Sequence, residues 1–299
     1  MIKVKVPGTT ANMGPGFDSF GMALDIYNEI TVEEIESGFE MLQEGELSEI
    51  PLEENLIYTT FLNILNKYNY KYKGFRINLS KCDVPMSRGL GSSATCIVGG
   101  IFAANAIMGN VMSLDKIIKE AVSIEGHPDN VVPAIVGGMT VSIMDKDNVI
   151  YSNVTVPDRL RAFVMIPNYK LGTEEARGVL PDSYTREECV FNISRAAMLV
   201  NVMNNGEIEK LRMCMQDKIH QKYRGALIRN IDDIFKKAYE FGSLAEFISG
   251  SGSTLIAFID KDNNKFYDRM KNFLDTLEDD WTVHLLKPNF TGAEIIKNR

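Results

Sequence analysis

A run of small and polar residues, 85–95 (Pro-Met-Ser-Arg-Gly-Leu-Gly-Ser-Ser-Ala-Thr), has the composition of a loop that binds phosphate. Gly89 and Gly91 can adopt backbone angles that are closed to other residues, and they let a ligand approach the main chain. The two serines that follow favour the N-cap of an apolar helix predicted over residues 94–108. The first amides of a helix have no internal partners and the helix dipole is positive there, so this loop can hold a phosphate group. Its simpler interpretation is a tight turn that caps a buried helix.

Three further stretches combine polar side chains with glycine, which is typical of functional loops. Residues 8–18 (GTTANMGPGFD) follow the first predicted strand, residues 125–130 (EGHPDN) follow a predicted helix, and residues 249–253 (SGSGS) separate two predicted strands. A basic turn at residues 222–225, Lys-Tyr-Arg-Gly, adds two cations. Taken alone, each stretch is equally consistent with a simple connection, so its function depends on how the stretches combine.

Two common phosphate-binding loops can be compared with residues 85–95. A Walker A loop requires Gly-Lys-Ser/Thr, and the chain contains no Gly-Lys pair, which excludes that class. The spacing G-x-G-x-x-A that starts at Gly89 fits the loose dinucleotide fingerprint, but that fingerprint needs an apolar strand directly before its first glycine and an acidic residue about 20 positions later. Here Pro85–Arg88 occupy the strand position and the first acidic residue downstream is Asp115, so the dinucleotide match is weak.

Hydrophobic periodicity predicts the elements that position these loops. Ile2–Val6 alternates apolar and basic residues, which predicts an outer strand that Pro7 ends. Residues 23–35 predict a second strand, and the acidic stretch 36–54 predicts a solvated hairpin. Apolar residues at helical spacing then predict a helix over residues 54–69.

The remainder of the chain alternates predicted helices and strands. A helix over residues 114–124 is followed by Gly126 and Pro128, which forbid its regular continuation and leave polar side chains on a bend. A first structural unit ends near Pro157, and a strand over residues 162–166 opens a second. Because strands and helices interleave in both units, the pattern predicts an α/β or α+β fold.

Composition and charge limit the classes of function. The 299 residues carry a net charge of −8, which is unfavourable for binding nucleic acid or an anionic membrane, so neither partner is expected. The four cysteines form no C-x-x-C pair, and the three histidines have no metal-ligand spacing. The N-terminus lacks the apolar core of a signal peptide, and the 15-residue apolar run after the glycine loop is too short to span a bilayer. Together these features predict a cytoplasmic protein.

Several motifs resemble those of one known group of small-molecule kinases. P-x-x-x-G-L-G-S-S-A, starting at Pro85, resembles the nucleotide loop of the GHMP kinases, and residues 125–134 (EGHPDNVVPA) resemble their central motif. Residues 6–21, a T-x-x-x-R motif at residues 173–177 and Lys-Tyr-Arg at residues 222–224 are similar to the homoserine kinases of this superfamily. With the late Ser-Gly-Ser-Gly loop the resemblance covers nearly the whole chain, which is identified as a member of the homoserine kinase family.

The resemblance implies an α+β fold with two domains. The N-terminal nucleotide-binding domain, residues 1–155, would resemble ribosomal protein S5, and the C-terminal domain, residues 156–299, would be ferredoxin-like, with the nucleotide between them. The implied activity is ATP-dependent phosphorylation of the hydroxyl group of L-homoserine to O-phospho-L-homoserine, in threonine biosynthesis. The family also implies ATP and Mg²⁺ as cofactors, L-homoserine as the small-molecule partner, and a homodimer.

The resemblance further implies which residues bind the nucleotide and the metal ion. The nucleotide-binding residues carried over from the family's loop are Pro85, Arg88, Gly89, Leu90, Gly91, Ser92, Ser93, Ala94 and Thr95. Ser93 and Glu125 are expected to ligate Mg²⁺, because their oxygen atoms are hard ligands for a hard ion. Glu120 is the alternative carboxylate, since the stretch before the central motif does not align cleanly with that of the family. Ser93 is also explained by helix capping, which can coexist with a metal-binding role.

A second implied set of residues binds the amino acid. Asp18 is expected to pair with the ammonium group, while Arg177 and Arg224 take the carboxylate, because a guanidinium group can bind a carboxylate through two hydrogen bonds. The other residues expected to line this pocket are Asn12, His127 and Asp129.

Asn130 and Arg224 are the expected catalytic residues. Several GHMP kinases have an aspartate at the position of Asn130, where it is a candidate base, whereas homoserine kinases have asparagine, as here. An amide cannot accept the substrate proton at neutral pH, but it can hold a hydroxyl group in line with the γ-phosphate. The expected mechanism is therefore proximity and electrostatic stabilisation without a side-chain base.

One departure and two alternatives accompany this interpretation. The late loop of the superfamily usually has a proline where this chain has Ser253, and only a small effect is expected. Another GHMP kinase, such as one that phosphorylates mevalonate, is the first alternative, but mevalonate has no ammonium group for Asp18. A nucleotide-binding sensor that has lost catalysis is the second alternative.

Overall fold

The computed structural model describes residues 1–146 and 148–296, which form two β-sheets with helices packed against them. Asp147 and the last three residues of the predicted second domain, 297–299, lie outside the described residues. Within the described part of the chain, no helix has both the length and the apolar character that a membrane crossing requires.

The elements are numbered in chain order. The strands are β1 (Ile2–Ala11), β2 (Phe20–Glu34), β3 (Gly38–Gln43), β4 (Glu46–Leu47), β5 (Gly74–Cys82), β6 (Met139–Asp145), β7 (Asn148–Val154), β8 (Leu160–Pro167), β9 (Ala245–Ile248), β10 (Leu255–Asp260), β11 (Trp281–Leu286) and β12 (Glu294–Ile296). The α-helices are α1 (Leu56–Lys67), α2 (Ser92–Ile107), α3 (Leu114–Glu125), α4 (Pro128–Val136), α5 (Thr173–Gly178), α6 (Arg186–Asn205), α7 (Leu211–Cys214), α8 (Gln221–Gly225), α9 (Ile231–Glu240) and α10 (Phe266–Leu274).

The first sheet has the strand order β12-β1-β2-β5-β3-β4, with the hairpin β6–β7 paired to the beginning of β2. The prediction that β1 is an outer strand ended by Pro7 was wrong on both points. β1 lies between β2 and β12, and it continues past an irregularity between Pro7 and Thr9 to Ala11. This continuation carries the main chain into the polar loop of residues 12–18.

Helices α1 to α4 form a layer on the first sheet. The predicted apolar helix after the glycine loop is α2, which is buried because α1 packs on one side of it and β1 on another. Gly99 and Gly100 permit this close packing: a Cβ atom on Gly100 would lie 2.9 Å from the carbonyl oxygen of Ile57 in α1. The apolar run therefore forms a core helix, as its length predicted.

The second sheet is antiparallel throughout, with the order β11-β8-β10-β9. Renumbered within the sheet this is 4-1-3-2, and α9 and α10 pack on one face against β8 and β10. This is the ferredoxin-like arrangement, so the α+β expectation for the second half is confirmed. Helices α5 to α8 are inserted between β8 and α9.

The two sheets are joined through a shared hydrophobic cluster. Met22 and Leu24 of β2 belong to the same buried cluster as Val164 of β8 and Phe258 of β10. The predicted domain boundary after residue 155 falls between β7 and β8, and it stays a prediction. Residues 294–296, predicted to lie in the second domain, pair instead with β1 of the first sheet as β12.

Helix α4 was not predicted from the sequence. The polar residues after α3 were predicted to form a bend, but only Gly126 and His127 are non-helical there, and Pro128 begins a new helix. Proline is favourable at the first position of a helix, where its missing N–H has no partner to lose. Asp129 and Asn130 consequently lie on the first turn of α4, which fixes them more firmly than a loop would.

The packing of α2 against α1 predicts an unusual response to alanine. Gly→Ala normally stabilises a helix interior by up to about 1 kcal/mol. In Gly100→Ala the new methyl group would meet the backbone of α1, so we expect a net loss of about 1–3 kcal/mol in the free energy of unfolding, measured by urea denaturation.

The matched control is Gly178→Ala at the end of α5, where a Cβ atom would meet nothing within 4 Å. This control should be neutral or slightly stabilising. A stabilised Gly100→Ala variant would show that α1 and α2 are not in close contact.

Candidate active site

A cavity of about 250 Å³ lies where the polar loops of both halves meet. Most of the predicted site residues line it: Asn12, Asp18, Gly89, Gly91, Ser92, Ser93, Glu125, His127, Asp129, Asn130, Arg177 and Arg224. Four more lining residues belong to stretches identified from the sequence but were not predicted individually: Ser87, Thr173, Gly250 and Ser251. Residues separated by more than 200 positions are therefore brought together around one cavity.

The N-terminus of α2 forms one wall of this cavity. The expected serine cap was wrong, because the N-cap is Gly91, in the left-handed conformation at φ 68°, and it makes no side-chain capping hydrogen bond. Ser92 and Ser93 are instead the first two helical residues. The first amides of α2 therefore have no capping oxygen from the N-cap side chain and are available to an anion in the cavity.

Five predicted nucleotide-binding residues do not line the cavity with their side chains. These are Pro85, Arg88, Leu90, Ala94 and Thr95. Leu90, Ala94 and Thr95 are fully buried, and Thr95 Oγ1 accepts a hydrogen bond from Asn28 Nδ2. Their side chains support the loop, so any contact with a nucleotide depends on their main chain.

Arg88, whose nucleotide-binding role stays a prediction, bonds the main chain of the second sheet. Its Nε donates to the carbonyl oxygen of Pro167 (2.9 Å), and its Nη2 donates to that of Asn168 (2.9 Å). The guanidinium group thereby ties the glycine loop to the end of β8. The two sheets are linked at the cavity by this side chain.

Ser93 and Glu125 meet at the same wall. Ser93 Oγ donates to Glu125 Oε2 at 2.7 Å, and Glu125 is the last residue of α3. Burial raises the pKa of Glu125, although the Ser93 hydrogen bond and the nearby His127 oppose the shift. Glu120, the alternative metal ligand, points elsewhere and pairs with Lys67 outside the cavity. Of the two carboxylates, only Glu125 offers an oxygen to the cavity.

No group of three or more His, Cys, Asp or Glu side chains among the described residues could hold a metal ion by itself. A divalent ion at Ser93 and Glu125 would therefore need further oxygen ligands from a phosphate chain or from water. This donor set suits Mg²⁺, which usually keeps several waters and binds through one or two protein carboxylates plus substrate phosphates.

His127, Asp129 and Asn130 form a connected group on the first turn of α4. His127 Nδ1 lies 2.6 Å from Asp129 Oδ1, and Asn130 Nδ2 lies 3.5 Å from the same oxygen. Burial alone would lower the pKa of His127, but the hydrogen bond to Asp129 and the surrounding carboxylates outweigh it and raise the pKa. The close approach of α4 depends on Gly21, where a Cβ atom would lie 1.7 Å from the carbonyl oxygen of Asp129.

Asp18 and Arg177, expected to bind opposite charges of one ligand, are paired with each other. Arg177 Nη1 and Nη2 donate to the two carboxylate oxygens of Asp18 at 3.0 and 2.8 Å. Asn12 fixes the main chain of Asp18, because Asn12 Oδ1 accepts a hydrogen bond from the Asp18 backbone N–H at 2.9 Å. The pair is about one third exposed, so a ligand in the cavity can reach both partners.

Arg224 is held rigidly and is only 2% exposed. The predicted basic turn was wrong in conformation, because residues 221–225 form the short helix α8. Arg224 Nε donates to the carbonyl oxygen of Ala176 (3.1 Å), and its Nη1 donates to that of Gly250 (3.0 Å). Burial lowers the pKa of Arg224, and the nearby Arg177 acts in the same direction. Its acceptors are neutral, so the charge stays available to an anionic group.

Two residues behind the cavity, which the sequence analysis did not single out, position α8. The carboxylate of Asp217 accepts backbone N–H groups from Ile219, His220 and Gln221 at 3.1, 2.7 and 2.7 Å. His220 is fully buried, stacks on Phe17 with ring centroids 5.5 Å apart, and bonds the carbonyl oxygen of Gly14. The N-cap of α8 is His220, which makes no side-chain capping hydrogen bond, so no capping signal marks this start. The His220–Gly14 contact has no local sequence signal either.

Known proteins with the same organisation were compared with this chain. The family model described as GHMP kinases N terminal domain matches residues 55–138, and the one described as GHMP kinases C terminal matches residues 198–276. A homoserine kinase of Clostridium novyi (strain NT) is 97% identical over 299 residues and covers 100% of both chains. A homoserine kinase of Clostridium kluyveri is 56% identical over 296 residues, 99% of each chain. The crystal structure of homoserine kinase from Cytophaga hutchinsonii superposes with a TM-score of 0.87 at 28% identity, covering 99% of this chain and 97% of that one.

The buried His220 predicts a specific pH dependence of stability. Burial, the largest effect, lowers the pKa of His220 below its usual 6.5. As the pH falls, His220 therefore becomes protonated in the unfolded chain before it does in the folded chain. Its contribution to stability is complete above its unfolded pKa and is lost progressively as the pH falls below that value. We expect the free energy of unfolding, from urea denaturation, to fall more steeply from about pH 7.5 to 5.5 in the wild type than in His220→Gln.

Leu199→Ala provides the matched control, because it weakens the hydrophobic cluster shared by the two sheets without removing a titratable group. Its stability should keep the wild-type dependence on pH. Parallel profiles for the wild type and His220→Gln would contradict the burial of a neutral imidazole.

Proposed function

The chain belongs to the homoserine kinase family of the GHMP kinases, and we propose that its cavity transfers the γ-phosphoryl group of ATP to the hydroxyl group of L-homoserine. The product is O-phospho-L-homoserine, and the step belongs to threonine biosynthesis. One observation carries the proposal: the free N-terminus of α2 and the charged groups Asp18, Arg177 and Arg224 surround Asn130 in one cavity. This arrangement supports binding of an anion beside an amino acid that carries both charges.

The phosphate chain of ATP would bind at the N-terminus of α2. Gly89 and Gly91 expose the main chain there, and the first amides of α2 together with the helix dipole favour a negative charge. The whole chain has a net charge of −8, so the positive potential has to be local. Main-chain dipoles meet this need without adding a lysine to the loop.

Mg²⁺ is proposed to bind at Ser93 and Glu125. Their oxygen atoms are 2.7 Å apart and face the cavity next to the amides of α2. When bound, the ion would neutralise charge on the phosphate oxygens. Ser93 and Glu125 would supply two of its oxygen ligands.

L-Homoserine would bind by replacing the ion pair between Asp18 and Arg177 with ion pairs to its own charged groups. In the described conformation Asp18 and Arg177 neutralise each other through two hydrogen bonds. A zwitterionic amino acid can replace this pair with two new ones, because its ammonium group pairs with Asp18 while its carboxylate pairs with Arg177 and the fixed Arg224. A ligand with only one charge would leave one of the two groups unpaired, which costs free energy in a half-buried site.

Asn130 is proposed to align the hydroxyl group for attack on the γ-phosphoryl group. Its Oδ1 already accepts a hydrogen bond, from Thr9 Oγ1 at 2.8 Å, so its amide hydrogens are the groups left for a ligand oxygen. The neighbouring carboxylate, Asp129, is engaged by His127. The reaction would then depend on proximity and on stabilisation of the phosphoryl charge, with the hydroxyl proton leaving late or to the phosphate.

The two alternatives are less well supported by the same cavity. A mevalonate-phosphorylating enzyme would leave Asp18 without an ammonium partner. A sensor without catalysis would be expected to have lost a polar group from the cavity, and each expected group of the substrate pocket lines it. The cytoplasmic location and the homodimer stay predictions.

The proposed activity predicts substrate-dependent ADP formation in a coupled assay. We expect turnover with ATP, Mg²⁺ and L-homoserine, a new phosphomonoester detectable by ³¹P NMR, and loss of turnover when EDTA removes the metal. R-Mevalonate should give no turnover above background. Turnover of mevalonate but not homoserine would favour the first alternative, and binding of ATP and homoserine without turnover would favour the sensor.

The ion-pair exchange predicts how the enzyme discriminates against ligands that lack one charge. 4-Hydroxybutanoate lacks the ammonium group and 3-aminopropan-1-ol lacks the carboxylate. We expect kcat/KM for each analogue to be about 10³-fold or more below that for homoserine, because each leaves a charged side chain unpaired. In Asp18→Asn the ratio of kcat/KM for homoserine to kcat/KM for 4-hydroxybutanoate should fall at least about tenfold, because no unpaired carboxylate remains at position 18.

Asp25→Asn is the control, because Asp25 is an exposed aspartate outside the cavity and should keep the wild-type ratio. An unchanged ratio in Asp18→Asn would exclude Asp18 as the group that recognises the ammonium.

A further inference from the structure

Thr9, in the last part of β1, makes two hydrogen bonds that point to different elements. Its backbone N–H donates to the carbonyl oxygen of Leu90 at 3.0 Å, and its Oγ1 donates to Asn130 Oδ1 at 2.8 Å. Thr9 is fully buried and does not line the cavity. One residue therefore connects the glycine loop, which would hold the phosphoryl donor, with the amide that would hold the acceptor.

The space for this connection is reserved by Gly91. A Cβ atom on Gly91 would lie 2.1 Å from Thr9 Oγ1 and 3.1 Å from Asn130 Oδ1. Any side chain at this position would occupy the space of the Thr9–Asn130 hydrogen bond. The glycine is thus required for more than its left-handed backbone.

Thr9 and Asp129 together fix the orientation of the Asn130 amide. A threonine hydroxyl can donate or accept, so it does not choose between the amide oxygen and nitrogen by itself. The carboxylate of Asp129 makes the choice, because it is an acceptor and lies 3.5 Å from Asn130 Nδ2. With the NH₂ group on that side, the oxygen faces Thr9, and the hydroxyl of Thr9 holds it there.

We propose that Thr9 is a positioning residue that orients the Asn130 amide and fixes its position relative to the glycine loop. The inference rests on the proposed function, in which Asn130 aligns the hydroxyl of L-homoserine. Thr9 does not line the cavity, so it would touch neither substrate. Its loss should therefore change the alignment of the bound reactants rather than their binding, and small misalignments are costly in a displacement reaction.

The test is a double-mutant cycle between Thr9→Val and Asn130→Ala. Valine has nearly the shape of threonine but no hydroxyl group. We expect Thr9→Val to lower kcat about 10- to 100-fold with KM for ATP and homoserine within about threefold of the wild type. In the Asn130→Ala background the same change should have almost no further effect, because the amide that Thr9 orients is gone. Thr9→Ser keeps the hydroxyl and should retain most of kcat.

Thr10→Val is the matched control. Thr10 is the next residue, is also fully buried, and has its hydroxyl bonded to Ser249 Oγ rather than to Asn130. Whatever the size of its effect, the fold-change in kcat of the Thr10→Val, Asn130→Ala double variant should equal the product of the two single fold-changes. Thermal unfolding of all variants separates loss of fold from loss of alignment. If Thr9→Val does not fold, Thr9→Cys replaces it, and the weak thiol donor should lower kcat.

Three results would overturn the proposal. The first is a decrease in kcat of the double variant that equals the product of the decreases of Thr9→Val and Asn130→Ala. The others are a Thr9→Val defect confined to KM and a Thr9→Cys variant with the kcat of the wild type. A wild-type protein without homoserine-dependent ADP formation would instead refute the proposed function, which the wild-type arm of the same experiment reports separately.

Discussion

The site depends on the close approach of the late loop, residues 249–253, to the glycine loop. Ser249 Oγ donates to the carbonyl oxygen of Gly89 at 2.6 Å, and a Cβ atom on Gly89 would lie 2.1 Å from the carbonyl oxygen of Ser249. The carbonyl oxygen of Gly250 accepts hydrogen bonds from both Asn12 Nδ2 and Arg224 Nη1. This contact brings the opening loop, the glycine loop and α8 to the same point of the cavity. Main-chain carbonyl groups serve as the acceptors, so the glycines are required for their small size as much as for their flexibility.

Much of this organisation could be predicted from the sequence. The helix after the glycine loop, the second sheet and the main site residues follow from periodicity and from family motifs, because these depend on local spacing. What could not be predicted depends on distant contacts. Helix α4 was missed because Pro128 reads as a helix breaker in isolation, although its position after Gly126 is also a favourable helix start. The return of β12 to β1 carries no signal in its three residues, since only pairing with a distant strand defines it.

The side-chain pairs were the least predictable part of the site. Asp18 and Arg177 were each assigned to a charge on the ligand, but no spacing indicated that they also satisfy each other. Arg88 belongs to the glycine loop by sequence, yet its guanidinium group bonds the main chain at the end of β8. Ser253, for which only a small effect was expected in place of the superfamily's usual proline, is fully buried and donates through Oγ to the carbonyl oxygen of Tyr169 at 2.9 Å. A hydroxyl group can therefore order this position through a hydrogen bond, whereas proline would order it through its ring.

The charges around Asn130 explain why an amide suits this position. Asp129 and Glu125 already contribute carboxylates to the cavity, and Asp129 Oδ1 lies 2.6 Å from His127 Nδ1. A further carboxylate at position 130 would face an anionic phosphoryl group and would repel Asp129 across 3.5 Å. Two ionised carboxylates this close would need an additional cation, and the guanidinium group of Arg224 is already bonded to the carbonyl oxygens of Ala176 and Gly250. An amide avoids this cost, because it can hold a hydroxyl group without adding negative charge beside the group that is being transferred.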